Sequence, residues 1–246
     1  ANGLTAVSQT YLDWALANAG RSAMSSDRAF PIGFEPPAVS PAQINSGMKE
    51  LRRHGIDPSR PSCFFAGLFE RSYDLATVID AAQILTCTGM GKLQFVLCGD
   101  GSRAASWRRR AAALPNVFFP GWVDSITLTA GMSFSSVGLC AYASDATQSL
   151  PNKPFEYLAS GLAIVSSLGE ELANLLEQNQ CGVTYQAGNA HSLASQISPL
   201  FDNPSRLAEL QTSGRALWEK QFRCETIYAN FVTYLETITS SHRAAA

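Results

Sequence analysis

The feature that most constrains the fold is a regular alternation of short apolar segments with helix-like segments, which begins at Ser62. The apolar segments are short enough to be strands and are bounded by glycine, proline and polar residues. Such an alternation predicts an α/β fold, a Rossmann-like parallel sheet with helices on both faces. The predicted strands are 62–68, 93–98, 117–119, 137–142, 163–166 and 182–185.

Helical patterns fill the spaces between these strands and extend on both sides of them. Before the first strand, a helix over about 5–20 is capped by Thr5 or Ser8 and ends at Gly20, and a proline-rich linker follows over 30–41. Because ligands bind at the carboxyl ends of the strands in such sheets, functional residues are expected in the loops after the strands. The remaining predicted helices are 42–54, 74–85, 102–114, 125–132, 153–159, 170–178, 190–200, 204–213 and 217–239.

Composition narrows the class of protein. The 246 residues are 46% hydrophobic and 15% charged, which is typical of an ordered globular protein. The net charge of -2 gives no strong field toward nucleic acid or an anionic membrane, although peripheral membrane contact stays open. None of the six cysteines forms a Cys-x-x-Cys pair, which argues against zinc and dithiol redox chemistry. A disulfide framework is not expected in a chain of this size, which favours a reducing compartment.

Three predicted strands are followed by loops that contain glycine: Gly67, then Gly99 and Gly101, then Gly121. Glycine at a strand-to-helix turn lets the backbone approach a bound group, and the helix N-terminus behind it favours anions. Turn geometry alone explains any one of them, but three successive loops would line one crevice. The Gly99–Gly101 spacing lacks the third glycine of the dinucleotide fingerprint, which disfavours an NAD site.

The most specific pattern follows the predicted strand 137–142. It reads Ser-Leu-Pro-Asn-Lys-Pro-Phe-Glu-Tyr-Leu-Ala-Ser-Gly over 149–161, and Glu156 falls outside the packing face of the predicted helix. A carboxylate in the first turn is favoured by the helix dipole. It is also suited to accept two sugar hydroxyls at the edge of a ligand. The pattern alone leaves both interpretations open.

This segment, with the later Gly169-Glu170-Glu171, resembles the donor-site signature of glycosyltransferase family 4 and related GT-B enzymes. The glycine loops match other landmarks of that donor domain in order and spacing, so the resemblance covers roughly 62–188. Residues 4–34 resemble the last strand, helix and linker of the family's N-terminal domain. The resemblance implies the C-terminal half of a GT-B fold, which binds a nucleotide-sugar.

The resemblance also implies roles for individual residues. Glu156 matches the carboxylate that binds the ribose hydroxyls, and the main-chain N–H groups of Ser149 and Leu150 match those that face the diphosphate. Trp122 borders the nucleotide base, although a core position for this side chain stays equally open. The implied donor-binding residues are Gly67, Phe69, Arg71, Gly99, Gly101, Gly121, Trp122, Gln148, Ser149, Leu150, Lys153 and Glu156.

Two positions depart from the family pattern. Gln148 stands where the family usually has a second glutamate facing the transferred sugar, which puts the identity of the sugar in question. Tyr73 stands where the family usually has the lysine of a basic pair that neutralises the diphosphate. Arg71 and Lys153 are the candidate replacements, and losing both charges would be costly because the leaving diphosphate gains negative charge.

The implied reaction is retaining transfer of a hexose from a UDP- or GDP-linked donor to a glycan or lipid-linked acceptor in polysaccharide biosynthesis. No metal and no cofactor are expected, since the sequence has no Asp-x-Asp motif, and no catalytic acid or base is identified. Two alternatives stay open. One is a nucleotide-sugar epimerase of the same fold, with Asp100, Asp124 and Asp145 as candidate acid/base groups. The other is a non-catalytic nucleotide-binding module.

The predicted organisation has three parts: 1–34 as a remnant of the N-terminal domain, 35–216 as the nucleotide-sugar-binding domain, and 217–246 as a helix that returns to the missing domain. We therefore expect a fragment that binds a nucleoside diphosphate weakly and transfers no sugar alone. Exposed apolar residues of the last helix would promote self-association. The resemblance further implies a cytoplasmic protein, near the inner face of the membrane, with no nucleic-acid partner.

Overall fold

A computed structural model describes residues 3–244 of the chain and the side chains of residues up to 240. It contains a six-stranded sheet, a two-stranded sheet and ten α-helices within those residues. In chain order the elements are β1 (Thr5–Ala6), α1 (Gln9–Ala19), β2 (Arg28–Ala29), α2 (Pro41–Arg53), β3 (Ser62–Ala66), α3 (Leu75–Leu85), β4 (Gln94–Cys98), α4 (Ala104–Arg110), β5 (Val117–Gly121), α5 (Ser125–Phe134), β6 (Val137–Cys140), α6 (Lys153–Ala159), β7 (Ala163–Ser166), α7 (Glu170–Gln178), β8 (Gly182–Thr184), α8 (Ala190–Asp202), α9 (Pro204–Leu217) and α10 (Cys224–Ala244).

The large sheet confirms the predicted α/β class. Its strands are all parallel and lie in the order β5-β4-β3-β6-β7-β8, with helices on both faces. Successive residues of a strand point to opposite faces, and β3 shows this directly. Phe65 packs in one core with residues of α3 and α8, whereas Phe64 packs in the other core with residues of α2, α5 and α6. The order reverses direction between β3 and β6, and a crevice opens there at the carboxyl ends of the strands.

The N-terminal segment adds a two-stranded sheet and packs against the last helix. β1 and β2 pair in parallel, and Ser8 and Gly20 cap the two ends of α1 as predicted. Phe30 packs edge-on against Phe231 and at a tilt against Tyr234 of α10, with ring centroids 4.9 and 5.1 Å away. The linker 30–40 has no regular structure, in agreement with its proline content.

The prediction of one helix over 217–239 is wrong at its start. α9 continues through Leu217, a π-helical turn covers Trp218–Phe222, and Arg223 is extended with ψ 141 before α10 begins. The linker holds this break in place: Trp218 Nε1 donates to Phe34 O at 3.0 Å, and Phe34 N donates to Phe222 O at 3.0 Å.

The exposure of the last helix is only partly as expected. Phe222, Ile227 and Tyr234 are buried, whereas Tyr228 and Leu235 are exposed. Residues 1, 2, 245 and 246 of the predicted domain ranges lie outside the described residues. Within 3–244, none of the helices combines the length and apolar character that crossing a bilayer requires.

Candidate functional site

The three glycine loops lie side by side at the carboxyl edge of the sheet. Main-chain hydrogen bonds join them: Gly67 N donates to Cys98 O at 3.0 Å, and Gly99 N donates to Gly121 O at 2.8 Å. A third bond, from Phe69 N to Asp100 O at 2.8 Å, closes the group. The loops therefore form one continuous surface, as their sequence pattern predicts.

Gly99 shows why this surface requires glycine. Its φ is +143°, which side-chain-bearing residues rarely adopt, and a Cβ there would lie 1.9 Å from Gly67 O. A Cβ on Gly101 would lie 2.6 Å from Phe69 O. The close approach of the loops that follow β3 and β4 thus excludes any larger residue.

A cleft of about 400 Å³ opens beside these loops, within the range of small-molecule sites. Among the described residues, glycines and apolar side chains form most of its lining, and the first turn of α6 contributes a carboxylate and an ammonium group. The lining residues are Ala66, Gly67, Leu68, Cys98, Gly99, Trp122, Val123, Leu128, Lys153 and Glu156.

Glu156 is partly buried at the edge of this cleft, one helical turn after Lys153. Among the residues that the structure describes, none donates a hydrogen bond to its carboxylate. Burial raises the pKa of Glu156 above its usual value, and the nearby Lys153 ammonium only partly opposes this rise. A half-buried acid with unused acceptor atoms is suited to receive donors from a ligand.

Lys153 is held over the cleft by two aromatic side chains. Its Nζ donates to the Tyr73 hydroxyl at 2.7 Å, and the same atom lies 4.4 Å from the Tyr73 ring centroid and 5.3 Å from that of Phe65. A Cβ on Gly67 would come within 2.7 Å of this Nζ, so the ammonium group lies directly against the first glycine loop. The residue that departs from the family pattern, Tyr73, is therefore the one that orients Lys153.

Arg71 lies elsewhere. Its side chain is 81% exposed and pairs with Asp145 at 2.7 Å, outside the lining of the cleft. This hydrogen bond lowers the pKa of Asp145. The structure thus brings Lys153, and not Arg71, together with Glu156.

The loop between β6 and α6 carries Gln148, Ser149 and Leu150. The Gln148 Oε1 atom is buried and has no hydrogen-bond partner within the described part of the chain. Within residues 3–244, the main-chain N–H groups of Gln148, Ser149 and Leu150 donate to no acceptor. The Ser149 hydroxyl instead donates to Glu171 Oε2 at 2.8 Å.

Two aromatic residues of the predicted site differ in placement. Phe69 is fully buried and packs edge-on against Trp107 and Phe119, with centroids 5.3 and 6.1 Å away, so its side chain cannot contact a ligand in the cleft. Trp122 is 75% exposed and lines the cleft, which excludes the alternative of a core position. Gly101 and Gly121 belong to the glycine surface but lie outside the lining.

The three aspartates considered for an epimerase lie outside the lining of the cleft. Asp124 caps α5 by accepting from Thr127 N at 2.8 Å, and Asp145 pairs with Arg71. Asp100 accepts from Gly101 N at 2.9 Å. No group of three metal-ligating side chains occurs within the described residues.

Sequence reasoning missed the apolar lining and one buried contact. Leu68, Val123 and Leu128 form the apolar part of the cleft, and Leu68 is 54% exposed although it is a large apolar side chain. The sequence shows only that a leucine follows the glycine of the first loop, and it does not show that this leucine is exposed. The sequence pattern places Glu171 in the family motif but does not predict its hydrogen bonds to α1 and Ser149.

Comparisons with known proteins agree with this architecture. A search of solved structures finds sucrose-phosphate synthase from Thermosynechococcus elongatus, with 19% identity and a TM-score of 0.74, covering 98% of this chain and 59% of that one. It also finds Anabaena Alr3699/HepE in complex with UDP and glucose, with 18% identity and a TM-score of 0.76, covering 96% and 64%. A glycosyltransferase from Rickettsia africae matches with 16% identity and a TM-score of 0.76, covering 96% and 63%.

The chain thus spans about 60% of the length of these structures. Because the sequence identities are below 20%, these similarities support only the fold. A comparison with curated protein sequences finds no significant match. The family model described as glycosyl transferases group 1 matches residues 60–203, more than half of the chain, and this range contains the cleft and all three glycine loops. The chain therefore belongs to the group 1 glycosyltransferases.

Proposed function

We propose that this chain is the donor-binding part of a retaining glycosyltransferase and that its cleft holds a nucleotide diphosphate sugar. One observation carries the proposal: a carboxylate that no described residue donates a hydrogen bond to, Glu156, and an ammonium group, Lys153, lie together against a glycine-lined main-chain surface. A nucleotide-sugar presents a ribose diol and a diphosphate, which are complementary to these two groups. The Anabaena HepE structures, determined with UDP and with UDP-glucose, make UDP the first nucleotide to test.

In the proposed complex, the two acceptor oxygens of Glu156 receive the two ribose hydroxyls. Lys153 and the main-chain N–H groups of Ser149 and Leu150 stabilise the diphosphate, whose negative charge grows as the glycosidic bond breaks. The exposed ring of Trp122 and the apolar side chains of Leu68 and Val123 border the base. Gln148 offers an amide to the sugar.

The main test is the affinity for UDP of the wild-type chain and of Glu156→Ala, measured by isothermal titration calorimetry. Loss of the carboxylate should weaken binding by about 1–3 kcal/mol, because two hydrogen bonds to a charged group are removed. Glu177→Ala, an exposed glutamate on α7, is the matched control and should bind as the wild type does. Equal affinity of the wild type and Glu156→Ala would exclude this role for the carboxylate.

A thermal-shift panel of UDP, GDP, ADP and dTDP identifies the base, because a bound ligand raises apparent stability by about 2.7 kcal/mol at one hundred times its Kd. We expect UDP to give the largest shift. The absence of any shift with all four nucleotides would contradict the proposal as a whole.

The finer parts of the proposal rest on the resemblance. They are transfer of a hexose with retention, a glycan or lipid-linked acceptor, a cytoplasmic setting and no need for a metal or cofactor. Because the chain spans only about 60% of related solved structures, we assign acceptor binding to a second domain and expect no transfer by this chain alone. Robust transfer by the purified chain would contradict that assignment, and NMR of the product's anomeric proton would test retention.

A further inference from the structure

The loop that carries Gln148, Ser149 and Leu150 is hydrogen-bonded to helix α1, which lies far earlier in the chain. The Tyr11 hydroxyl of α1 donates to Thr147 O at 3.1 Å. On the other side, Ser149 Oγ donates to Glu171 Oε2 at 2.8 Å. Two neighbouring positions of this loop are thus held by groups outside it.

Glu171 connects the loop to the first turn of α1. Its Oε1 accepts from Gln9 N at 3.0 Å, and its Oε2 accepts from Thr10 N at 3.1 Å and Thr10 Oγ1 at 3.0 Å. The first N–H groups of a helix have no partner inside the helix and favour a carboxylate. Burial alone would raise the pKa of Glu171, but these hydrogen bonds and that from Ser149 outweigh it, so the pKa is lowered. The side chain is therefore a charged link between three segments.

We propose that Glu171 and Tyr11 are positioning residues that hold the loop in the shape that binds the diphosphate, so that α1 is part of the donor site. This inference rests on the proposed function. Because the Ser149 hydroxyl is engaged by Glu171, the residue is fixed while its main-chain N–H stays without an acceptor within the described residues. A loop that is ordered before binding does not have to lose its freedom when the ligand arrives, which favours affinity.

The inference predicts a loss that is specific for the diphosphate. Glu171→Gln keeps the shape of the side chain but places an amide NH₂ or a neutral oxygen where Thr10 N and Ser149 Oγ now donate. We expect the Kd for UDP to rise about tenfold, while the Kd for uridine, which lacks the diphosphate, changes less than about twofold. A purely structural role would instead lower stability and weaken both ligands alike.

Tyr11→Phe is the second variant, because it removes one hydroxyl from a helix surface and should leave folding intact. We expect a rise in the UDP Kd of about threefold. Hydrogen exchange of the amides in 143–150, without any ligand, should accelerate in both variants. Glu177→Gln, on the exposed side of the same helix as Glu171, is the control and should match the wild type in every measurement.

The possible outcomes distinguish a failure of the positioning role from a failure of the proposed function. In one outcome, the wild type binds UDP, Glu156→Ala does not, and Glu171→Gln and Tyr11→Phe keep wild-type UDP affinity and loop exchange. The inference is then wrong and the proposed function stands. If both variants lose uridine and UDP equally, the link is structural and the inference is also wrong. If the wild type binds no nucleotide, both fall together.

Discussion

The two sides of the cleft are held in place by different kinds of contact. On the glycine side, the loops after β3, β4 and β5 are joined by main-chain hydrogen bonds, and Gly99 and Gly101 allow their close approach. On the α6 side, Ala143 N donates to Ser72 O at the start of the loop over 143–150, but its later residues contact side chains: Asp145 contacts Arg71, Thr147 contacts Tyr11 and Ser149 contacts Glu171. The first arrangement leaves no room for a Cβ at Gly99 or Gly101. In the second arrangement, each side-chain contact can be changed by a single substitution.

The largest effect is expected on the glycine side. Gly99→Ala would place a Cβ 1.9 Å from Gly67 O at a φ of +143°, so the loops must separate. We expect a loss of about 3 kcal/mol or more in the free energy of unfolding, measured by urea denaturation. Gly91→Ala is the control, because its φ is -62° and its Cβ would lie an ordinary 3.6 Å from Thr86 Cγ2. Equal stability of the two variants would show that the loops do not need their close approach.

The next effect separates the two candidate cations. Lys153→Met removes the ammonium group but keeps a long side chain against Tyr73, and we expect UDP affinity to fall by about 1.5–3 kcal/mol. Arg71→Met should change it by less than about 1 kcal/mol, because an exposed ion pair contributes little. Calorimetric titration of both variants decides the point, and a larger loss in Arg71→Met would mean that Arg71 turns toward the diphosphate.

These expectations also show how far the sequence leads. The strands were predictable because short apolar runs such as 93–98 are bounded by glycine and polar residues, and the glycine loops marked the correct edge of the sheet. The contact between Lys153 and Tyr73 was not predictable, because Tyr73 lies 80 residues earlier and only folding brings the two side chains together. The sequence likewise could not separate Phe69, which is in the core, from Trp122, which is exposed.

The break before α10 was hidden for a related reason. Trp218 and Phe222 continue an apolar helical pattern, and no glycine or proline interrupts it near Arg223. The break comes from the linker, whose Phe34 exchanges hydrogen bonds with this turn. Local patterns report which face of a segment is apolar, but they do not report which distant main-chain groups compete for its hydrogen bonds.

A pH-dependent effect of intermediate size is expected at Glu156. Because burial raises its pKa, the folded chain takes up this proton more readily than the unfolded chain does. Stability is therefore lost as pH rises from the ordinary glutamate value of about 4.3 through the raised one. Glu156→Gln should raise Tm relative to the wild type at pH 7 and by less at pH 4. A Tm difference that is independent of pH would contradict the shift.

Binding should show the opposite trend with pH. The ribose hydroxyls need an ionised acceptor, so UDP affinity of the wild type should fall as pH drops through the raised pKa of Glu156. In Glu156→Gln this component is absent, and the titration of UDP itself is common to both proteins. The difference between the two binding curves, measured by calorimetry from pH 5 to 8, isolates the carboxylate. Parallel curves would show that its charge does not contribute.

The smallest effect is expected at Trp122. Because its ring is 75% exposed, Trp122→Ala should leave the free energy of unfolding within about 0.5 kcal/mol of the wild type. Loss of an aromatic contact to the base should weaken UDP binding by about 1 kcal/mol. Calorimetric titration of UDP into the wild type and into the variant measures this difference. Unchanged affinity would place the base elsewhere in the cleft.

The central claim is that Glu156 and Lys153 bind the same ligand against the glycine loops. A crystal structure of this chain with UDP tests this claim most directly. The account predicts both ribose hydroxyls within about 3.2 Å of the Glu156 carboxylate and the diphosphate between Lys153 Nζ and the loop of Ser149 and Leu150. UDP bound away from the first turn of α6, or bound there with Glu156 turned from the ribose, would contradict it.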